Sequence, residues 1–317
     1  MTIRVFHHEQ LDLGALIAAK GDRRVSVCLP ARDEEATVAA IVRSLLGPPV
    51  EAGRRHGPPV EAGRRHGPPV QGSRRHGELV DEVLVVDDGS HDRTAIAAAE
   101  AGARVVLAAD VLPEVAGRGH GKGEALWKGL ASTTGELVVF LDADIRDFDA
   151  RFVSGLLAPL LLDDGIRFVK AFYERPLDGR PRGGGRVTEL VARPLITLLF
   201  PQLAPVVQPL AGECAGRRDT LEQLPFVRGY GVDLGLLIDV CTHFGASAIA
   251  QVDLGHRVHR NRSLAELAPM AAMVLETGLR RAGVDVGDDD RPPLARPGAR
   301  PVALAWGELP PLAQVTR

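Results

Sequence analysis

Short runs of consecutive apolar residues alternate with stretches of helical period through the first half of the chain. Residues 25–29, 83–86, 104–107 and 137–140 read as buried strands. Helices are predicted over 36–46, 93–101 and 124–131, the first stopped by Gly47-Pro48-Pro49. Four strand–helix alternations are the pattern of a mostly parallel, Rossmann-like sheet with helices on both faces, an α/β fold. The second half is mixed α/β. A helix over 149–162 precedes a strand at 167–173, and the triglycine Gly183-Gly184-Gly185 opens another helix. A strand over 210–216, rich in small residues, suits close approach of a ligand or backbone. A helix at 232–243, a strand at 247–254 and an amphipathic helix at 264–282 complete the pattern.

Two segments fall outside this periodicity. GPPVEAGRRH occurs at 47–56 and again at 57–66, and GPPVQGSRRH follows at 67–76. Each unit has too few apolar residues to bury a core, so 47–78 is expected to be a disordered insertion. Residues 284–317 are acidic and then proline-rich, and are expected as a loosely ordered tail. Residues 1–24 are expected as an N-terminal arm with a short helix around 11–20.

Composition narrows the function. A net charge of -3 and 4% aromatic residues argue against a nucleic-acid partner. The most apolar region, 194–210, is too short to span a bilayer and carries Pro201, Pro205 and Pro209, so no membrane association is expected. The three cysteines, Cys28, Cys214 and Cys241, have no close spacing, which suits a reducing, cytoplasmic setting.

The candidate chemistry gathers where strands end. Ligands of a parallel sheet bind beyond the carboxyl ends of its strands. Pro30-Ala31-Arg32-Asp33-Glu34-Glu35, Asp87-Asp88-Gly89-Ser90 and Leu141-Asp142-Ala143-Asp144 all lie there. The pair Asp142 and Asp144 suits a hard cation such as Mg²⁺, shared with substrate phosphates, and equally suits a loop cap. Asp87 and Asp88 suit hydrogen bonds from a base or ribose, and equally a turn followed by a helix cap. Lys122, after the glycine-rich stretch 117–121, stands where a helix starts and would neutralise a pyrophosphate, or would be an ordinary surface lysine. The spacing there fits neither a P-loop nor a dinucleotide fingerprint. The triglycine with Arg186 and Thr188 offers free amides, a forked guanidinium and a hydroxyl to an anion, or is a flexible turn with a cap. His259, in the loop His256–Arg262, would complete a carboxylate metal site or is structural.

Together these motifs resemble a known family. The stretches 29–35, 86–90 and 141–144 resemble the nucleotide-sugar signature of GT-A glycosyltransferases. More specifically, 112–115, 121–127, the long Gly-Gly-Gly-Arg-Val-Thr-Glu-Leu-Val-Ala-Arg-Pro run at 183–194 and His259-Arg260-Asn261-Arg262 resemble the retaining family of glucosyl-3-phosphoglycerate and mannosyl-3-phosphoglycerate synthases. The likeness runs from about residue 25 to 276, apart from the repeat. It implies a GT-A fold with a nucleotide-sugar half at 25–145 and an acceptor half at 146–283. It implies transfer of a hexose, glucose favoured over mannose, from a nucleotide diphosphate sugar (UDP or GDP) to the 2-hydroxyl of 3-phosphoglycerate. The cofactor implied is Mg²⁺, with Mn²⁺ or Co²⁺ as alternatives. Asp144 and His259 would hold the metal. Asp142 and Ala143 would face the ribose and sugar, and Pro30, Ala31, Arg32, Glu34, Asp88 and Lys122 would form the nucleotide site. Gly185, Arg186, Thr188 and Asn261 would bind the phosphate and carboxylate of the acceptor. Asp233 and Lys122 would be catalytic.

Two positions depart from the family pattern. Ala143 stands where the family usually has serine, and Asp233 where it usually has glutamate, one methylene shorter. Both bear on rate and on sugar choice. The competing expectation is a GT-A enzyme acting on a polyprenyl phosphate or a polysaccharide, which would not need the 183–194 run. The apolar helices after Thr188 suit a homodimer interface.

Overall fold

The computed structural model describes residues 3–47, 77–119, 121–174, 185–257, 263–287, 292–304 and 306–315. The decapeptide repeat beyond Gly47, Gly183, Gly184, His259 and Asn261 lie outside the described residues.

The strands are β1 (Arg4–His7), β2 (Val25–Ala31), β3 (Glu82–Asp87), β4 (Arg104–Leu107), β5 (Leu137–Phe140), β6 (Phe168–Glu174), β7 (Cys214–Arg217), β8 (Phe226–Val227) and β9 (Ile249–His256). Eight of them form one sheet in the order β1-β9-β6-β7-β5-β2-β3-β4. All neighbours run parallel except β7, which is antiparallel to both β5 and β6. The main helices are α1 (Leu13–Lys20), α2 (Val38–Leu46), α3 (Thr94–Glu100), α4 (Lys122–Ser132), α5 (Arg151–Leu162), α6 (Arg193–Leu199), α7 (Val232–Phe244) and α8 (Leu264–Arg281).

Period-two alternation divides the core into two layers. Cys28, Leu84, Val86 and Phe140 pack on one face with Trp127 of α4 and Leu234 and Leu237 of α7. Val27, Leu29, Val83, Val85 and Val139 pack on the other with Ile41 of α2 and Phe152 and Leu156 of α5. Strands buried on both faces become continuous apolar runs, which is why they are readable in the sequence.

Register aligns the ends that matter. Ala31 pairs with Asp87, and Cys28 with Phe140, so β2, β3 and β5 finish side by side. The Asp88 amide donates to the Ala31 carbonyl (2.9 Å) and the Leu141 amide to the Cys28 carbonyl (3.1 Å), carrying the pairing one step past each strand.

Three expectations change. Residues 4–7, expected within an arm, form β1 at the sheet edge, paired in parallel with β9. The strand expected over 210–216 is shorter: 209–212 turn, and only Cys214–Arg217 pairs as β7. The Ala211 amide donates back to the Gln208 carbonyl (3.1 Å), closing a turn, and the Ala211 carbonyl accepts from the Lys170 ammonium instead of a strand amide. The tail also returns to the body. A hairpin of β10 (Leu294–Arg296) and β11 (Ala299–Val302) precedes β12 (Glu308–Leu309), which pairs antiparallel with β8. Leu309 and Leu312 are buried, and the Trp127 indole N–H donates to the Pro310 carbonyl at 2.8 Å.

Candidate active site

A cavity of about 630 Å³ opens beyond the carboxyl ends of β2, β3 and β5. Its lining includes Pro30, Ala31, Arg32, Glu34, Asp88, Lys122, Asp142, Ala143, Asp144, Gly185, Arg186, Thr188 and Asp233. These are all of the site residues expected from sequence except His259 and Asn261, which lie outside the described residues.

The part of the cavity beyond β2 and β3 is built by two loops that tie to each other. The Asp33 amide donates to the Ser90 hydroxyl (3.0 Å) and the His91 amide to the Asp33 carboxylate (2.7 Å). The Glu34 amide donates to Thr94 Oγ1 (2.7 Å), and the Arg93 amide to Glu35 (2.8 Å). Asp33 sits at a φ of 57°, a left-handed conformation that aspartate tolerates better than most residues. The two adjacent carboxylates after β3 divide their tasks. Asp87 accepts the Ser90 amide (2.8 Å) and closes the turn, while Asp88 accepts the Gly121 amide (2.9 Å) and tethers the glycine-rich loop.

Lys122 lies in the first turn of α4, and its side chain is only 14% exposed. Its Nζ stands 3.1 Å from Asp142 Oδ1 and donates to Asp233 Oδ2 at 3.0 Å. It is a half-buried, ion-paired residue lining the cavity, not an ordinary surface lysine. Burial works to lower its pKa, but the Asp142 and Asp233 carboxylates outweigh burial and hold it well above the usual lysine value. The next residue explains how α4 reaches this point: a Cβ on Gly123 would meet the Val227 carbonyl at 1.9 Å. Only glycine lets the helix start press against β8.

The aspartate loop is equally constrained. The Ala143 carbonyl accepts from Thr37 Oγ1 at 2.7 Å. Asp142 lies so close to the 209–212 turn that a Cβ on Gly212 would fall 2.3 Å from its Oδ2. Against both aspartates stands Arg257, whose Nη2 donates to Asp144 at 2.7 Å and whose Nη1 reaches Asp142 at 3.3 Å. The same guanidinium pairs with the fully buried Glu213 at 2.5 Å, and the Tyr173 hydroxyl donates to Glu213 at 2.6 Å. Burial raises the Asp142 pKa, but Lys122 and Arg257 more than reverse this and leave it well below the usual carboxylate range. For Glu213 burial prevails and its pKa is raised, with Arg257 offsetting only part. Glu34 is also raised, by burial first and then by Asp144.

Gly185, Arg186, Val187 and Thr188 line another part of the cavity, together with Leu267, Met270 and Val274 of α8. Gly185 has a φ of 81°, and its carbonyl accepts from the Glu189 amide (3.0 Å). Residues Thr188–Ala192 form a π-helical turn, a distortion common at functional sites.

Arg257, Glu213 and Tyr173 join the cluster, and α8 lines the cavity, without a sequence motif that marks them. Arg257 was visible only as one basic residue of a polar loop. Glu213 lay within the predicted strand, where its carboxylate is an irregularity among apolar neighbours and was the available signal.

The donor set suits a hard cation. Asp142 and Asp144 both line the cavity, the Asp144 side chain is 35% exposed, and their charge adds to burial in raising the pKa of Glu34. Among the described residues no three His, Cys, Asp or Glu side chains are grouped to hold a metal unaided. Phosphate oxygens and a further ligand would complete the shell.

Fold and site are those of a GT-A type glycosyltransferase. Residues 71–224 match the family model for Glycosyl transferase family 2. Glucosyl-3-phosphoglycerate synthase of Mycobacterium tuberculosis is 46% identical over 286 residues, 88% of this chain and 80% of that protein. The Petrotoga mobilis enzyme of the same name is 40% identical over 285 residues, with the same coverage of 88% and 80%. The M. tuberculosis crystal structure in complex with Mn²⁺, UDP-glucose and phosphoglyceric acid has a TM-score of 0.80 at 42% identity, covering 98% of both chains. That with Mn²⁺, UDP and glucosyl-3-phosphoglycerate has a TM-score of 0.78 at 42% identity, covering 98% of this chain and 99% of the other. The chain belongs to the glucosyl-3-phosphoglycerate synthase family.

Proposed function

We propose that this chain transfers glucose from UDP-glucose to the 2-hydroxyl of 3-phosphoglycerate with retention at the anomeric carbon, giving glucosyl-3-phosphoglycerate and UDP. The observation that carries this reading is one cavity lined both by the aspartate pair with Lys122 and by Arg186 with Thr188. A donor diphosphate and a small phosphorylated acid would therefore meet in one shared cavity.

Pro30, Ala31, Arg32, Glu34 and Asp88 would hold the nucleotide, with Asp142 and Ala143 against ribose and sugar. Gly185, Arg186 and Thr188, with Asn261, would hold the acceptor's phosphate and carboxylate, matching a forked guanidinium to planar oxygen pairs. Asp144, with His259, would hold Mg²⁺ or Mn²⁺, which when bound supplies positive charge at the diphosphate. Lys122 adds a fixed charge at the leaving oxygen, the kind of preorganised stabilisation that dominates such transfers. The glycosidic C1–O bond to the diphosphate breaks, the acceptor oxygen bonds to C1 on the same face, and the hydroxyl proton passes to the diphosphate. Asp233 is held by Lys122 and would position the sugar. Its carboxylate is committed to lysine contacts, which favours this front-face route over a covalent glycosyl-enzyme.

Three further points belong to this reading. The cysteines are free and buried, in keeping with a cytoplasmic enzyme. Among the described residues no helix is long and apolar enough to cross a membrane, and no membrane or nucleic-acid partner is proposed. Leu190 (73% exposed), Leu198 (79%) and Leu199 are apolar side chains at the surface that a homodimer would cover.

The test is a panel of UDP-glucose, GDP-glucose, UDP-mannose and GDP-mannose, each labelled in the sugar, with Mg²⁺ and 3-phosphoglycerate. Labelled phosphorylated product is expected from UDP-glucose above all, and none after chelation of the metal. Transfer only to a polyprenyl phosphate or a polysaccharide would replace the proposal with the competing reading.

A further inference from the structure

Behind the cavity wall lies a second ammonium that none of the roles above uses. Lys170 is in the middle of β6, between Cys214 of β7 and Gln251 of β9, and is 1% exposed. It does not line the cavity. It shares the sheet face of Phe168, the face covered by α4 and α7. Its Nζ donates to the Ala211 carbonyl at 2.5 Å and stands 3.6 Å from Asp233 Oδ1. Asp233, in the first turn of α7, is thus gripped from both sides: Lys122 takes Oδ2 at 3.0 Å and Lys170 faces Oδ1.

A buried lysine is costly, and a well-packed apolar residue in its place is often neutral or stabilising. Packing therefore gives no reason for a charge at this position. The contacts do give one. The strand and the Ala211 carbonyl fix the ammonium, and the ammonium then fixes the rotation of a carboxylate whose other oxygen meets the cavity lysine. Lys122 alone would leave the Asp233 carboxylate free to turn about its Cβ–Cγ bond, and sub-ångström placement is what such sites depend on.

We infer that Lys170 is a positioning residue for the transfer reaction: from inside the sheet it orients the Asp233 carboxylate between two ammonium groups, and so sets the geometry at the reacting sugar. This rests on the proposed glucosyl transfer.

The test is a kinetic cycle of Lys170→Met, Asp233→Asn and the double variant, with UDP binding in the presence of Mn²⁺ measured by calorimetry as a check on the folded site. Lys170→Met is expected to lower kcat at least fivefold, while KM for UDP-glucose and for 3-phosphoglycerate stays within threefold. In the Asp233→Asn background, where no carboxylate remains to orient, adding Lys170→Met is expected to change kcat by less than twofold. If Lys170→Met folds poorly, Lys170→Gln, which keeps a donor for the Ala211 carbonyl without the charge, takes its place in the cycle with the same expected outcomes. A Lys170→Met kcat within fivefold of wild type, or an equal loss in both backgrounds, would overturn the inference. A wild-type enzyme without transfer to 3-phosphoglycerate would instead overturn the proposed reaction, and this inference with it.

Discussion

Arg257 shows how one side chain holds the cluster together. Its guanidinium is 5% exposed and faces three carboxylates, those of Asp142, Asp144 and Glu213. Burial tends to lower its pKa, but Glu213 and its neighbours outweigh burial and leave it well above the usual arginine value. Glu213 has no exposure at all, so removing its partner strands a charge in the interior. Arg257→Met should therefore cost about 3–5 kcal/mol of stability, the range for breaking a buried ion pair from one side. Urea unfolding measures it, and adding Glu213→Gln should recover a large part. A loss under about 1 kcal/mol would mean that water reaches Glu213 more freely than its burial suggests. None of this was readable at the residue scale in the sequence. The Arg257–Asp142 contact spans 115 positions and Tyr173–Glu213 spans 40. Local pattern contains no trace of such pairs. The identities of Asp142, Asp144, Lys122 and Arg186 were legible because each sits in a local signal: a strand end, a helix start, or a glycine run.

At the scale of elements, the strands and the edge at which they finish were legible for a simple reason. A strand buried on both faces must be apolar throughout, and the turn after it must be polar. What escaped was pairing. The antiparallel β7 and the edge strand β1 depend on partners far along the chain: in β1, Arg4 pairs with Ala250 of β9 and His7 with Asp253. The tail strand β12 was missed because proline-rich composition hides a two-residue pairing. One element junction carries a pH signature. Glu82, at the start of β3, accepts from Ser26 Oγ (2.6 Å), the Thr134 amide (3.0 Å) and Arg104 (2.8 Å), binding β3 to β2, to the loop after α4 and to β4. Burial tends to raise its pKa, but these donors outweigh burial and the net shift is downward. A depressed carboxylate stabilises the fold fully above its unfolded pKa, and that stabilisation is lost as pH falls through the folded value. Glu82→Gln should lower stability by about 1–2 kcal/mol at pH 7. Thermal melts across pH should show the gap to wild type closing below about pH 4, near the ordinary glutamate pKa. A gap that persists unchanged in acid would assign the loss to shape, not charge.

Over the whole molecule, the fold brings Arg32, Glu34 and Asp88 from the first half of the chain and Gly185, Arg186 and Thr188 from the second to one cavity. The antiparallel β7 sits between those halves and delivers Glu213 and the 209–212 turn to their junction. The outer surface carries its own consequence. Leu190, Leu198 and Leu199 are exposed apolar side chains, which the proposed homodimer would cover. Light scattering should give the mass of two chains, and Leu198→Glu should shift it to one. A monomer at micromolar wild-type concentration would remove the dimer from the account. The claim on which everything else depends is that donor and acceptor share this cavity. It is tested most directly by a crystal structure of this protein with UDP-glucose, Mn²⁺ and 3-phosphoglycerate. The expected result has the diphosphate between Asp144 and Lys122, the phosphoglycerate on Arg186 and Thr188, and the 2-hydroxyl facing C1 of glucose. Phosphoglycerate bound away from Arg186, or a diphosphate that avoids Asp144, would contradict it.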